Sequence, residues 1–187
     1  MRRFLIPALM ISLLLTGCGE NAAERKIEQQ RDALAAASQL SFRADLTAAV
    51  GDDVFCCTLD CAATEEAVEI EVVSPELIAG ITARLREGEA ELEYDGLRLS
   101  FGTAALEGLK PVSAIPLLCK ALKVGHVIRA WTEKTEDGAL VAAEIYADEN
   151  YGLTVWFDTG TLTPLHAELS RDGAVVISCD FSNFKIG

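Results

Sequence analysis

From Ser41 to the C-terminus the chain alternates apolar with polar positions, interrupted by one apolar stretch that reads as a helix. Phe42, Ala44, Leu46 and Ala48 alternate with Arg43, Asp45 and Thr47, the signature of a strand with one buried face. Gly51-Asp52-Asp53 turns the chain. Phe55, Cys57, Leu59 and Cys61 then line a second strand, and Val68, Ile70 and Val72 a third. Ser74 to Gly80 forms a short apolar connection. Before all of this, Asn21-Ala22-Ala23-Glu24 has the capping-box pattern. A helix is expected from there to about Ser38, with Ala23, Ile27, Leu34 and Ala37 on a narrow stripe and Glu24, Lys26, Glu28, Arg31 and Asp32 on a solvated face.

The middle of the chain specifies its own register. A two-residue turn at Glu87-Gly88 sets Arg84 opposite Glu91 and Arg86 opposite Glu89, so that charges pair on the outer face. Asp95-Gly96 is a strong hairpin signal. It sets Tyr94 opposite Leu97, Leu92 opposite Leu99 and Ala90 opposite Phe101, all on one apolar face. Gly102, Gly108 and Pro111 mark a loop. Ser113 then caps a helix from Ala114 to about Val124, stopped by Gly125. Ile115, Leu117, Leu118, Leu122 and Val124 make that helix apolar on most sides, as in a helix that plugs a curved sheet. Strands follow at 127–135, 139–148, 151–158, 162–171 and 174–184, joined by turns at Asp137-Gly138, Glu149-Asn150, Thr159-Gly160 and Asp172-Gly173. This predicts a mainly β, α+β fold: about ten or eleven antiparallel strands in sequential hairpins, with two helices.

The first eighteen residues change the picture of where the protein works. Arg2 and Arg3 precede a 12-residue apolar run, Phe4 to Leu15, which is the pattern of a secretory signal. At ~1.5 Å per residue the run spans roughly 18 Å, too short to cross a bilayer. Leu15-Thr16-Gly17-Cys18 resembles the bacterial lipobox. That resemblance implies a diacylglyceryl group on Cys18, which becomes the mature N-terminus. The expected organisation is a lipoprotein signal peptide at 1–17, a lipidated tether at 18–22 and one domain at 23–187. The expected location is the bacterial cell envelope, lipid-anchored on the extracytoplasmic side of the membrane. Residues 1–17 carry two bases and no acid, so a net charge of −13 becomes −15 on their removal. A polyanion of this kind repels nucleic acid and anionic headgroups, so no nucleic-acid partner is expected.

Chemistry-bearing motifs are sparse. The chain has no Gly-x-Ser-x-Gly, His-Glu-x-x-His, Walker or Gly-x-Gly-x-x-Gly sequence, and no cofactor or catalytic residue is assigned. His126 and His166 read as surface or structural residues. Glu89, Glu91 and Glu93 share a face with Arg84 and Arg86 and read as a charge-paired, solvated surface. Cys56, Cys57, Cys61, Cys119 and Cys179 follow Cys18. They fit either small buried apolar residues or a bridge from the 56–61 cluster to Cys119 or Cys179. Their spacing does not suit zinc, and no metal is expected. Trp131 and Trp156 fall on the more polar faces of their strands, Trp131 in phase with Val127 and Arg129. They are the candidate partner surface.

Val73-Ser74-Pro75-Glu76-Leu77-Ile78-Ala79-Gly80-Ile81, Tyr94-Asp95-Gly96 and the tail from Trp156-Phe157-Asp158-Thr159 to Phe181-Ser182-Asn183-Phe184, in this order of elements, carry a resemblance. It is to the LolA/LolB lipoprotein-carrier family, whose relatives include RseB-type sensors, and in pattern to GerS-type clostridial lipoproteins in particular. The resemblance implies a strongly curved antiparallel sheet, an unclosed half-barrel with helices on its concave side, and an apolar cavity for acyl chains. Leu92, Leu99, Phe101, Leu118 and Leu122 are the candidate cavity residues. The carrier's characteristic arginine has a counterpart in Arg43, but Arg43 alternates with the apolar face and is expected in solvent. The expected function is non-enzymatic binding of an acyl chain or other lipid. The alternative is an anchored scaffold or regulator for an envelope or peptidoglycan-active protein.

Overall fold

Eleven strands follow one another round a single antiparallel sheet. The structure is a computed structural model and describes residues 22–50, 53–87, 89–102, 110–136 and 138–187. The expected signal peptide at 1–17, Cys18, the expected tether up to Asn21 and the side chain of Phe101 lie outside these residues. Helix α1 (Ala22–Ala36) leads into β1 (Gln39–Val50), β2 (Asp53–Thr64), β3 (Val68–Ser74), β4 (Thr82–Arg86), β5 (Glu89–Tyr94) and β6 (Leu97–Gly102). Helix α2 (Lys110–Val124) follows, then β7 (His126–Thr135), β8 (Gly138–Tyr146), β9 (Gly152–Asp158), β10 (Pro164–Arg171) and β11 (Ala174–Ile186). The strand order is β6-β5-β4-β3-β2-β1-β11-β10-β9-β8-β7, so β6 and β7 are the two edge strands and the sheet is an open half-barrel. Pairing of β1 with β11 joins the two runs of hairpins.

Local chemistry accounts for the elements. Period-two alternation puts Leu40, Ala44, Leu46, Leu59, Ile70, Ile145, Leu153, Val155, Phe157 and Leu169 on one inner face, all buried. Asp95 (φ 49°) and Gly96 (φ 75°) form a two-residue turn with both residues left-handed, and Tyr94–Leu97, Leu92–Leu99 and Ala90–Phe101 pair as expected. Arg84 stands opposite Glu91 and Arg86 opposite Glu89. The ion pairs themselves run elsewhere: Arg84 reaches Glu69 at 3.4 Å, and Arg98 reaches Glu93 at 2.9 Å and Glu91 at 3.5 Å. Long arginine side chains have a choice of carboxylates on such a face, and strand opposition does not select one.

Both helices cover the inner face. Helix α1 buries Ala23, Ile27, Gln30 and Leu34 against α2, β7 and β8. Burying Ile27 and Leu34 stabilises the contact by about 2 kcal/mol each. Arg31 is half-buried with its Nε out of solvent rather than on a free charged face, and α1 ends two residues short of the expected stop. Helix α2 packs on α1, β1, β3 and β8. It starts at Lys110, four residues before the expected Ala114, so Ser113 lies inside it rather than at its start. Pro111 falls in the first turn, where an N–H has no helical partner to lose. Lys123 Nζ donates to the carbonyl of Ala37 at 3.0 Å, tying the second helix to the end of the first. Gly125 is not left-handed as a helix-ending glycine would be. It is required by space: a Cβ there would meet Ala121 O at 2.5 Å and Ile145 Cγ2 at 2.6 Å.

Five register shifts interrupt the strand pairing among the described residues, and three of them move side chains from the faces that alternation predicts. In β7 the register shifts between Val127 and Arg129. Val127 therefore turns to the core while Arg129 and Trp131 face outward, and the expected common phase of Val127 with Trp131 is corrected. In β10 the shift between Pro164 and His166 leaves Leu165 partly exposed. In β1–β11 the shift opposite Ser41–Arg43 coincides with left-handed Asn183 (φ 54°) and brings Phe181 and Phe184 to one side. There Phe42 stacks on Phe184 at 5.3 Å and meets Phe181 edge-on at 5.4 Å. Strand β10 begins at Pro164 instead of 162 because Asp158 holds a longer turn. Its Oδ1 accepts the N–H groups of Gly160 (3.0 Å) and Thr161 (2.7 Å) and the Thr161 hydroxyl (2.9 Å). Those bonds keep the Asp158 carboxyl below its ordinary range.

Candidate functional site

The helices do not cover the inner face evenly. Their contacts concentrate on β1, β3, β7 and β8, at the centre and at the β7 side of the sheet. Towards the other edge the hairpin β5–β6 turns Leu92, Tyr94, Leu97 and Leu99 to the same inner face. Leu92 is half-buried, whereas Tyr94 is 50%, Leu97 73% and Leu99 66% exposed. Four apolar side chains thus form an open, contiguous surface where the inner face runs out from under the helices. Among the sequence candidates, Leu92 and Leu99 belong to this surface, and Phe101 continues the same strand by its backbone. Leu118 and Leu122, at 2% and 1% exposure, sit in the closed core with α2. Tyr94 and Leu97 face each other as the Asp95-Gly96 turn requires, but their exposure depends on where the helices stop, which alternation does not reveal.

All five described cysteines are free thiols: Cys57, Cys61, Cys119 and Cys179 are buried and Cys56 is exposed. Cys57 and Cys179 stand on either side of Leu46 on the inner face. Burial pushes the Cys57 thiol up to about 11 and the Cys119 thiol up to about 12. Cys61 and Cys179 are raised further, by burial first and then by neighbouring thiols and carboxylates. These are the small buried apolar residues of one of the two sequence readings. A thiol-specific reagent is expected to label Cys56 in the native protein and the other four only after unfolding. Peptide mapping checks this, and native labelling of Cys61 or Cys119 would contradict it.

The outer face is polar and carries both tryptophans. Trp131, Ala142, Trp156, His166, Asp180, Asp45 and Thr58 stand in one row across β7, β8, β9, β10, β11, β1 and β2. Ala142 is fully buried although it faces outward, because the two indoles flank it. Trp156 donates its Nε1–H to Glu133 Oε2 at 2.8 Å, so its ring reaches across β8 towards β7. Its ring centre lies 5.2 Å from that of His166, whose Nδ1 is 2.6 Å from Asp180 Oδ1. Arg129 lies 5.0 Å from the centre of the Trp131 ring, and its Nε donates to Glu144 at 2.6 Å. His126 is exposed at the start of β7.

Two troughs of about 440 Å³ each open on the polar side of β2–β6, one of them lined by Asp60, Glu69, Glu71, Arg84, Glu93 and Arg98 among others. Beside them Arg43 faces outward, as expected. It holds Asp60 with two hydrogen bonds, Nε at 2.8 Å and Nη2 at 2.6 Å. That pairing lowers the Asp60 carboxyl and raises the guanidinium. Arg43 is thus engaged on the polar surface, away from the apolar face. Among the described residues no three His, Cys, Asp or Glu side chains converge as metal ligands. No described helix is long and apolar enough to cross a membrane.

The fold and the two faces define an open α+β half-barrel with a partly uncovered apolar interior. No family model and no curated protein matches the chain by sequence. Solved structures resemble it in fold alone. An uncharacterized conserved protein from Thermus thermophilus is similar over 87% of this chain and 86% of its own, at 10% identity and a TM-score of 0.51. A LolA superfamily protein from Nitrosomonas europaea aligns over 88% and 93%, at 10% identity and a TM-score of 0.45. The Mycobacterium tuberculosis lipoprotein LppX aligns over 87% and 94%, at 14% identity and a TM-score of 0.47. At these identities what is shared is the fold, and function must be argued from the faces themselves.

Proposed function

We propose that this chain is a lipid-anchored, non-enzymatic protein of the bacterial cell envelope that holds an acyl chain or comparable apolar ligand against the inner face of β5–β6. The observation that carries the reading is the exposed surface of Leu92, Tyr94, Leu97 and Leu99, continuous with a closed apolar core. Soluble domains seldom leave such a surface open without a use for it. The lipobox-like Leu15-Thr16-Gly17-Cys18 supports the anchor on Cys18, and Val73–Ile81 with Tyr94-Asp95-Gly96 supports the likeness to GerS-type members of the LolA/LolB group. Native mass spectrometry of the protein, purified gently from cells, tests the reading. An adduct of lipid mass is expected, lost on denaturation, and lost also from Leu99→Arg. Because Leu99 is exposed, that variant should keep the wild-type melting temperature. A clean apo mass in both proteins would overturn the proposal.

A second reading has its own observation. Trp131 and Trp156 share one outward row with a buried Ala142 between them, a rigid aromatic strip suited to a protein partner in the envelope.

A further inference from the structure

The outer face of β7–β9 presents an indole beside a carboxylate twice. In the first pair, Trp131 and Glu144, the arrangement is completed from within the chain: the Arg129 guanidinium lies 5.0 Å from the indole centre and donates to Glu144 at 2.6 Å. In the second pair, Trp156 is hydrogen-bonded through Nε1 to one oxygen of Glu133. Among the described residues no lysine or arginine is ion-paired with Glu133. The surroundings of the second pair are acidic: Asp180 and Glu168 flank His166, and His166 lies against the Trp156 ring.

We propose that Trp156 and Glu133 receive an arginine of a basic, extended segment of a partner protein. The inference deepens the partner-surface reading and rests on it. Charge complementarity selects the partner's sign: Arg129 is engaged by Glu144, and among the described residues Glu133, Glu168 and Asp180 have no lysine or arginine ion-paired with them, on a chain of net charge −13. The chemistry selects arginine over lysine. A planar guanidinium stacks on an indole while its edge meets a carboxylate, as Arg129 does on the same face. An ammonium cannot do both with the same geometry. An extended segment suits the site because the row is linear across adjacent strands, and Ala142 beneath it gives the indoles a rigid seat.

The test uses the full chain in neutral detergent with fluorescent peptides of alternating arginine and serine, lysine and serine, or glutamate and serine. Anisotropy should rank arginine above lysine, with no binding by the glutamate peptide, and the affinity should fall as salt is added. Glu133→Gln keeps an acceptor for the Trp156 N–H and removes only the charge. It should weaken the arginine peptide about tenfold, as for a lost ion pair plus a loosened cation–π contact. Glu71→Gln removes the same charge from the polar face of β3, away from the strip, and should change nothing. Equal losses in E133Q and E71Q would reduce the attraction to overall charge and overturn the proposal. Binding lost in Trp156→Phe but untouched in E133Q would overturn the arginine chemistry and leave the partner surface standing. No effect of either variant would overturn both. A neutral chitin oligosaccharide that displaces the peptide, or binds when the peptide does not, would assign the strip to glycan instead.

Discussion

Gly125→Ala is expected to destabilise the protein by about 3 kcal/mol, lowering the melting temperature by roughly 6–12 °C for a domain of this size. The reason is the tight passage from α2 to β7. Gly125 donates its N–H to the Ala121 carbonyl at 2.8 Å, which draws the chain against the last helical turn. A methyl group there would lie 2.5 Å from that same carbonyl oxygen, 3.0 Å from Ala121 Cα and 2.6 Å from Ile145 Cγ2. Helix backbone cannot yield, and Ile145 is fully buried, so neither neighbour can relax cheaply. Gly96→Ala gives the contrast. Gly96 is left-handed at φ 75° but has nothing within 4 Å of a new Cβ, so only the conformational cost of about 1 kcal/mol remains. Thermal melts of the two variants decide it. A benign Gly125→Ala, or one milder than Gly96→Ala, would mean that α2 and β8 are not packed as described.

A steep loss of stability above pH 9 is the second large effect, measured under reducing conditions. Cys57, Cys61, Cys119 and Cys179 are buried thiols whose folded pKa values are raised by desolvation. In the unfolded chain they titrate in the ordinary range, about 8.5. A raised folded value means that the stabilisation is fully present below the unfolded pKa and declines as pH rises towards the folded one. Between about pH 9 and 11 the folded state keeps four protons that the unfolded state has released. Each contributes about 1.4 kcal/mol per pH unit, so stability should fall by about 5 kcal/mol per unit. A stability of about 5–10 kcal/mol, within the typical range, is then exhausted near pH 10–11. Urea unfolding at several pH values reads the slope directly as a proton count. Cys119→Ala should reduce that count by one, and a slope that Cys119→Ala leaves unchanged would show that this thiol is not buried in the native state.

Much of the fold was legible because strands announce themselves by alternation and two-residue turns leave register no freedom. The Asp95-Gly96 hairpin illustrates this: once the turn is set, Tyr94, Leu92 and Ala90 have only one set of partners. Bulges are illegible for the same reason. A single extra residue, Ile128 or Asn183, shifts the phase downstream without changing the local composition. Helix α2 starts ahead of the expected Ala114 because Pro111 reads as a loop signal as readily as a first-turn residue. The site divides along similar lines. That Leu92 and Leu99 share an apolar face follows from sequence. That this part of the face escapes the helices, while Leu118 and Leu122 are sealed in the core, depends on how far α1 and α2 reach across the sheet. The link between Trp156 and Glu133 spans 23 residues and two strand boundaries, and no local pattern carries it.

The central claim is that the apolar ligand lies on the uncovered inner face of β5–β6. A fatty acid carrying a diazirine at its chain end, bound to the full protein and photolysed, tests it most directly. Peptide mapping should find the label between Leu92 and Leu99, and competition with unlabelled fatty acid should remove it. Label confined to the outer face around Trp131 and Trp156, or none above the level seen with Leu99→Arg, would contradict the claim.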